Sequence, residues 1–160
     1  MKTMKRPVAA PTVRDRRALA VGSLRITCLL SSEETGGAYS LFDIVVPPHD
    51  GGPPPHTHEF EDEAFYVLEG EFIATVDGQE MRGGPGSWMY APRFKPHGFR
   101  NDRDTPTRVL MFASPGGFEK FFEACGDPVT NADEPAGPPT EMQIRKILDA
   151  MPKYGMTPHI

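Results

Sequence analysis

Proline and glycine together make up about a fifth of this chain, and no other feature of the sequence limits its fold as strongly. The 160 residues include 18 prolines and 16 glycines. Both residue types interrupt helices, whereas turns between short strands tolerate them. The composition therefore predicts a domain of short strands joined by many turns.

Length and charge exclude several classes of protein. A chain of 17.6 kDa can bury one hydrophobic core, and no run approaches the roughly 18 apolar residues that a membrane span requires. The net charge of −5 has the wrong sign for a surface that binds duplex nucleic acid. Cys28 and Cys125 form neither a CxxC pair nor a disulfide framework, which favours a reducing cytoplasm.

Three stretches of the chain differ in character. Residues 1–22 are basic and lack a clear period, so we expect an N-terminal arm. Residues 23–115 contain apolar runs bracketed by turn residues, and Asp77-Gly78 between two of them is a strong hairpin signal. The predicted strands cover residues 24–30, 38–46, 64–69, 72–76, 87–91, 97–101 and 107–113. Their spacing predicts an all-β barrel or sandwich.

The last stretch, residues 116–160, has helical spacing. Apolar residues at positions i, i+3, i+4 and i+7 define one face of a short helix that ends at Gly126. A second helix with the same apolar spacing follows a capping box of Thr140 and Gln143. The residues that form these two faces are Phe118, Phe121, Phe122 and Cys125, and then Ile144, Ile147, Leu148 and Met151. We expect both helices to pack on the outside of the barrel.

Three histidines and one glutamate have the spacing of a metal site. His56 and His58 are two residues apart, so on a strand both side chains point to the same face. Glu63 follows five residues later, and His97 begins a later strand. Three imidazoles and one carboxylate can hold one divalent transition metal in an open site, whether iron, manganese, nickel, copper or zinc.

The pattern around these residues resembles the two signature motifs of the cupin superfamily. The matching positions are His56, His58, Glu63 and Gly70 in the first motif and Gly86, Pro92, His97 and Asn101 in the second. The resemblance covers residues 47–113 and implies the cupin double-stranded β-helix, a jelly-roll barrel, followed here by the two short C-terminal helices. It also implies that the metal ligands are His56, His58, Glu63 and His97. Asp50 and Phe94 replace two motif glycines at turn positions.

Alternation along the strands predicts an apolar substrate pocket around the metal. Phe65 and Val67 share a face with Glu63, and Phe99 and Asn101 share a face with His97. The further candidates at the pocket mouth are Phe42, Phe72, Tyr90 and Met111. Such a lining argues against sugars, which require more polar walls. Glu59, Glu61 and Asp62, which crowd Glu63, are most simply interpreted as a solvated acidic loop, although a carboxylate near the metal could serve as a base.

The resemblance extends to the quercetin-dioxygenase-like cupins and implies oxygenation, with O2, of a small aromatic or apolar substrate. In that group the glutamate ligand, here Glu63, can accept a proton from the substrate. Cupins host several reactions, so two alternatives stay open: a metal-dependent isomerase or cyclase of a biosynthetic intermediate, and a non-catalytic small-molecule-binding protein. Because small cupins cover open sheet edges, we also expect a homodimer in which the N-terminal arm or first strand adds to the partner's sheet.

Overall fold

The computed structural model describes residues 8–129 and 136–159, and the strands within them form two sheets. The larger sheet has the strand order β11-β1-β2-β3-β10-β5-β8, and the smaller one β12-β4-β9-β6-β7. The strands are β1 (Ala18–Val21), β2 (Leu24–Leu30), β3 (Ser40–Val46), β4 (His56–His58), β5 (Asp62–Glu69), β6 (Phe72–Val76), β7 (Gln79–Gly83), β8 (Trp88–Ala91), β9 (His97–Arg100), β10 (Thr107–Ser114), β11 (Asp127–Pro128) and β12 (Met156–Pro158). Two α-helices, α1 (Glu119–Cys125) and α2 (Glu141–Ala150), complete the predicted all-β class with two short C-terminal helices.

Several strands begin and end at the turn residues that the sequence predicts. β2 and β6 occupy the predicted ranges 24–30 and 72–76. Asp77 and Gly78 both have positive φ angles, 50° and 81°, as the two central residues of a type I′ hairpin require. Along β10 the side chains alternate between buried and less buried positions, so one face of the larger sheet packs into the interior. The hydrophobic core therefore lies between the two sheets.

The N-terminal arm is shorter than predicted. Ala18–Val21, which the sequence analysis placed in the arm, forms β1 and pairs with β2 on one side and β11 on the other. Tertiary pairing stabilises a strand that four residues alone cannot signal in a sequence. Both edges of β1 are occupied within the chain, so this strand has no free edge for a partner's sheet. The homodimer itself stays a prediction.

Helix α1 packs its apolar face onto the larger sheet. Phe42 of β3 contacts the rings of Phe118 and Phe122 edge-on, at centroid distances of 6.3 and 5.1 Å. At the start of the helix, buried Glu119 accepts hydrogen bonds from the backbone N–H of Ser32, at 2.8 Å, and from the hydroxyl of Ser40. Glu119 therefore fixes the beginning of α1 against the strands beneath it.

The C-terminal segment returns to the smaller sheet. The N–H of Gln143 donates to the hydroxyl of Thr140 as the predicted capping box requires, and α2 runs from there to Ala150. A short 3₁₀ helix (Met151–Tyr154) leads into β12, which pairs antiparallel with β4. β12 was not among the predicted strands, because three residues are too few to show the alternation of buried and exposed side chains that marks a strand. Among the residues that the structure describes, no helix has the length and apolar character needed to cross a membrane.

Candidate metal centre

Both sheets contribute side chains to one buried cluster between them. His56 and His58 lie on β4 and His97 on β9, all in the smaller sheet, whereas Glu63 lies on β5 of the larger sheet. His56 and His97 are direct cross-strand partners, and the two-residue spacing of β4 points His58 the same way as His56. The predicted four residues therefore meet at one place because the two sheets face each other there.

The ligand atoms of this cluster converge on a common centre. One donor atom from each of the four side chains lies within 4.8 Å of the others, and all four residues are buried. Nε2 of His97 lies 2.8 Å from Oε2 of Glu63, and Nε2 of His58 lies 3.4 Å from Oε1. Such a buried group of three imidazoles and one carboxylate forms a candidate metal site.

The other nitrogen of each imidazole is held by the protein. Nδ1 of His56 donates to the carbonyl of Pro54 and Nδ1 of His97 to the carbonyl of Lys95, both at 3.0 Å. Nδ1 of His58 faces Oε2 of Glu61 at 3.3 Å. These partners orient the three imidazoles so that each Nε2 points to the shared centre, where Nε2 of His97 hydrogen-bonds Glu63. Nε2 of His58 is buried without a hydrogen-bond partner, so a divalent cation fits the cluster where a hydrogen bond does not.

Electrostatics hold two of the ligands in their metal-binding protonation states. Burial lowers the pKa of His56 to about 4, and the neighbouring imidazoles act in the same direction. Burial alone would raise the pKa of Glu63, but His58 and His97 outweigh it and lower that pKa to about 2. Burial likewise lowers the pKa of His97, yet its hydrogen bond with Glu63 raises it overall. His56 is therefore neutral and Glu63 ionised at neutral pH.

The acidic run before Glu63 is not a uniformly solvated loop, which corrects the sequence interpretation. Glu59 is exposed, but Glu61 is buried against His58. Asp62 accepts hydrogen bonds from the backbone N–H of Arg93 at 2.9 Å and from its guanidinium at 3.1 Å. Glu61 therefore holds Nδ1 of His58, a contact that composition alone could not assign to it rather than to its acidic neighbours.

A cavity of about 290 Å³ opens from the cluster, and two of the eight predicted pocket residues line it. His56 and Glu63 form its polar end, and Phe99 and Met111 lie in its wall. The contact of these two side chains with a substrate stays a prediction. The six predicted residues that lie outside this lining are Phe42, Phe65, Val67, Phe72, Tyr90 and Asn101.

Each of those six residues is placed elsewhere for a physical reason. The rings of Phe65 and Phe72 pack against each other and against Phe99 from behind, which makes them core residues together with Val67 and Phe42. Tyr90 alternates outward on β8 and is exposed. The amide of Asn101 donates to the carbonyls of Pro47 and Thr105 at 3.0 and 2.8 Å, so it ties two loops together.

About half of the apolar wall comes from the helices and the C-terminal segment, and the pocket prediction from strand alternation included none of these residues. Their apolar spacing was visible, but nothing in the sequence showed which cavity it would face. The ring of Phe118 lies 4.8 Å from the ring of His58. The lining residues that α1, α2 and the segment after α2 contribute, with the residue that precedes α1, are Phe118, Phe121, Phe122, Ile144, Ile147, Leu148, Met151 and Met156.

The two motif departures have different structural outcomes. Two residues after Asp50, Gly52 has a φ of +65°, and a Cβ there would lie 1.7 Å from the carbonyl oxygen of Phe99, so this turn requires glycine. Phe94 stands in the second motif with a φ of +65° of its own, a strained angle for a residue with a Cβ. With Asp50 and Phe94 at these positions, the four candidate ligands still lie together.

Comparison with known proteins assigns part of this chain to a known family of domains. Residues 42–113 match the family model described as the cupin domain. The chain is 40% identical over 73 residues to the quercetin 2,3-dioxygenase of Bacillus subtilis (strain 168), a match to 46% of this chain and 21% of that protein. It is 32% identical over 60 residues to the tetracenomycin polyketide synthase protein TcmJ of Streptomyces glaucescens, a match to 38% of this chain and 40% of the relative.

Solved structures show the same architecture at lower identity. The structure of KdgF from Halomonas sp. aligns with a TM-score of 0.61 and 18% identity, over 71% of this chain and 99% of that one. At this identity the likeness concerns the fold alone. The sequence matches to the two curated relatives span about a fifth and two fifths of those proteins.

Proposed function

We propose that this chain, which is a small member of the cupin superfamily, is a metal-dependent dioxygenase acting on a small aromatic or otherwise apolar organic substrate. The observation that carries the proposal is a buried cluster of three histidines and one glutamate at the end of an apolar cavity. The similarity of the matched region to a quercetin 2,3-dioxygenase supports it. A dioxygenase places both atoms of O2 in its substrate, so the reaction requires no external reductant.

In this proposal the side chains of the site have three roles: metal ligand, cavity wall and proton acceptor. Nε2 of each of the three histidines and the carboxylate of Glu63 would hold the metal, which when bound supplies Lewis acidity and, for a redox-active ion, reactivity toward O2. Phe99 and Met111 give the cavity apolar walls beside the ligands. The carboxylate of Glu63, which lines the cavity, would also accept the proton of a substrate hydroxyl.

The test measures metal content and O2 uptake on the same preparation. Protein purified without added metal is analysed for its elements and then assayed against a panel of flavonols and phenols. Glu63→Gln should retain much of the metal, because three imidazoles remain, but lose most of the turnover. Glu59→Gln, at an exposed position four residues earlier, is the matched control and should behave like the parent. Undiminished uptake by Glu63→Gln contradicts the role of the base, and no uptake by the parent contradicts the dioxygenase.

A second candidate is a metal-dependent isomerase or cyclase that uses Glu63 to abstract a proton. It is favoured by the similarity of the matched region to a tetracenomycin polyketide synthase protein. In that case the isolated protein should hold zinc or another ion acting as a Lewis acid, and product should form without O2 consumption. Ligand binding without any turnover would favour the non-catalytic binding protein instead.

A further inference from the structure

Part of the apolar face of helix α2 stays exposed among the residues that the structure describes. Ile144 and Leu148 stay 44% and 36% exposed, although they belong to the same face as buried Met151. Both side chains line the cavity that reaches the metal ligands. An amphipathic helix normally buries such a face against the core. Here the face is turned toward an open cavity instead.

The placement of α2 is fixed by contacts on either side of that face. On its polar flank, Asp127 of β11 accepts hydrogen bonds from Gln143 at 2.9 Å and from Lys146 at 3.1 Å. At its C-terminal end, buried Met151 and the pairing of β12 with β4 attach the following segment to the smaller sheet. The helix is therefore held above the cavity rather than packed into it.

The chemistry of the cavity limits what can fill the gap. Among the described residues that line it, Ser23, His56 and Glu63 are the polar side chains, and the rest of the lining is apolar or glycine. Its volume of about 290 Å³ is at the lower end of the range for small-molecule pockets. A charged or many-hydroxyl ligand would lose its hydration there without finding partners. A neutral molecule with one oxygen donor would lose little hydration, because that oxygen can reach the metal ligands.

We propose that the space between α2 and the larger sheet binds the apolar body of a neutral organic ligand whose single oxygen donor lies at the metal ligands. In this arrangement the ligand covers Ile144 and Leu148, and these two residues set the length of the apolar body that the site accepts. The inference rests on the proposed function because both use the same metal centre, but it concerns binding and does not depend on turnover.

The test uses 4-n-alkylphenols, from phenol to 4-hexylphenol, as probes of defined length. Protein loaded with zinc, which does not turn over O2, is titrated with each phenol in a calorimeter. Affinity should rise by up to about fourfold per added methylene until the cavity is filled, because each methylene leaves water for an apolar wall. An affinity that does not depend on chain length overturns the inference.

Variants locate the effect on α2. Replacing both Ile144 and Leu148 with serine should lower the affinity for 4-hexylphenol at least tenfold, while the affinity for phenol stays within twofold and zinc content is unchanged. Met142→Ser lies on the same helix but is 81% exposed and outside the cavity lining, so it should bind every phenol like the parent. Parent-like binding of 4-hexylphenol by the double variant overturns the inference.

A single variant keeps the test decisive if the double variant loses helix by circular dichroism. Leu148→Phe fills part of the cavity and should move the highest affinity to a shorter alkylphenol, whereas an unchanged optimum overturns the inference. The two proposals fail separately. Chain-length-dependent binding without O2 uptake by the protein in any metal form contradicts the dioxygenase alone, and O2 uptake without chain-length dependence contradicts the α2 site alone.

Discussion

At the scale of single residues, Glu61 shows how a ligand cluster depends on a neighbour that does not ligate. Its buried carboxylate faces Nδ1 of His58 at 3.3 Å, so it orients an imidazole whose buried Nε2 has no hydrogen-bond partner among the described residues. Mutation of a group that hydrogen-bonds a metal-ligating imidazole typically lowers metal affinity by about 10–100-fold. We therefore expect metal binding by His58 to depend on Glu61.

We expect Glu61→Ala to weaken metal binding by about 10–100-fold, because His58 loses the group that fixes its tautomer. Glu61→Gln should recover part of the affinity, since its amide oxygen can still accept the Nδ1 hydrogen bond. The measurement is a competition titration with a chelator of known affinity. Exposed Glu59→Ala is the matched control, and equal affinities for Glu61→Ala and Glu59→Ala would show that Glu61 has no such role.

Phe94 has a strained backbone conformation, and its exposed ring gains little packing energy to offset that strain. Its φ is +65° and its ring is 64% exposed, while its N–H donates to the carbonyl of His58 at 2.8 Å. A left-handed residue with a Cβ costs about 1–2 kcal/mol, partly offset by the larger entropy of an unfolded glycine. Phe94→Gly should therefore raise the free energy of unfolding by up to about 1 kcal/mol. Urea denaturation measures it, and Phe94→Ala, which keeps the Cβ, should give no gain; an equal gain for both variants would contradict the strain argument.

At the scale of secondary-structure elements, α1 illustrates how a buried charge positions a helix. Burial by itself would raise the pKa of Glu119, but hydrogen bonds from Ser32 and Ser40 outweigh it and hold that pKa below its usual value of 4.5. Phe118, the preceding residue, lies beside His58. The anchoring of α1 is therefore linked to the metal centre through one aromatic contact.

We expect Glu119→Gln to lower the free energy of unfolding by about 1–3 kcal/mol at neutral pH, because its amide places donors where Ser32 and Ser40 also donate. Since the folded pKa lies below the unfolded one, the ion stabilises the fold above the unfolded pKa and this contribution is lost as pH falls through the folded pKa. The difference between parent and variant should therefore shrink on going from about pH 7 to about pH 3. Glu123→Gln, exposed on the same helix, is the control. A difference independent of pH would contradict the role of the charge.

Elements with a strong local signal could be predicted from the sequence, and elements that depend on tertiary pairing could not. β2, β6 and the Asp77-Gly78 hairpin have alternation or turn chemistry of their own. β1 and β12 are four and three residues long, and each forms because a neighbouring strand satisfies its backbone. The helical spacing of residues 144–151 predicted α2, but only the fold shows that this face lines the cavity.

The candidate site divides in the same way. The spacing of His56, His58, Glu63 and His97 reflects strand geometry and could be predicted, because period 2 and cross-strand pairing place these residues together. The pocket wall could not, since alternation identifies inward-facing residues without distinguishing core from cavity. Phe65 and Phe99 illustrate this: both are buried, and one packs behind the other.

At the scale of the whole molecule, the barrel and the metal centre are separable. The apolar interior is continuous from the two sheets through α1 to Met156, so we expect the fold to persist without a metal ion. A zinc finger, in contrast, lacks such a core and unfolds without its metal. Removal of a ligand should therefore abolish metal retention and leave the fold intact.

The most direct test of the metal centre is elemental analysis of the parent chain and of His58→Ala and His97→Ala, each with its circular dichroism spectrum. The parent should hold one divalent transition metal per chain after loading and gel filtration. Both variants should lose it while their spectra match that of the parent. Equal metal content in the parent and the variants, or a parent chain that retains no metal after loading, would contradict the assignment of the four residues as ligands. Unfolding of both variants would contradict the separation of site and fold.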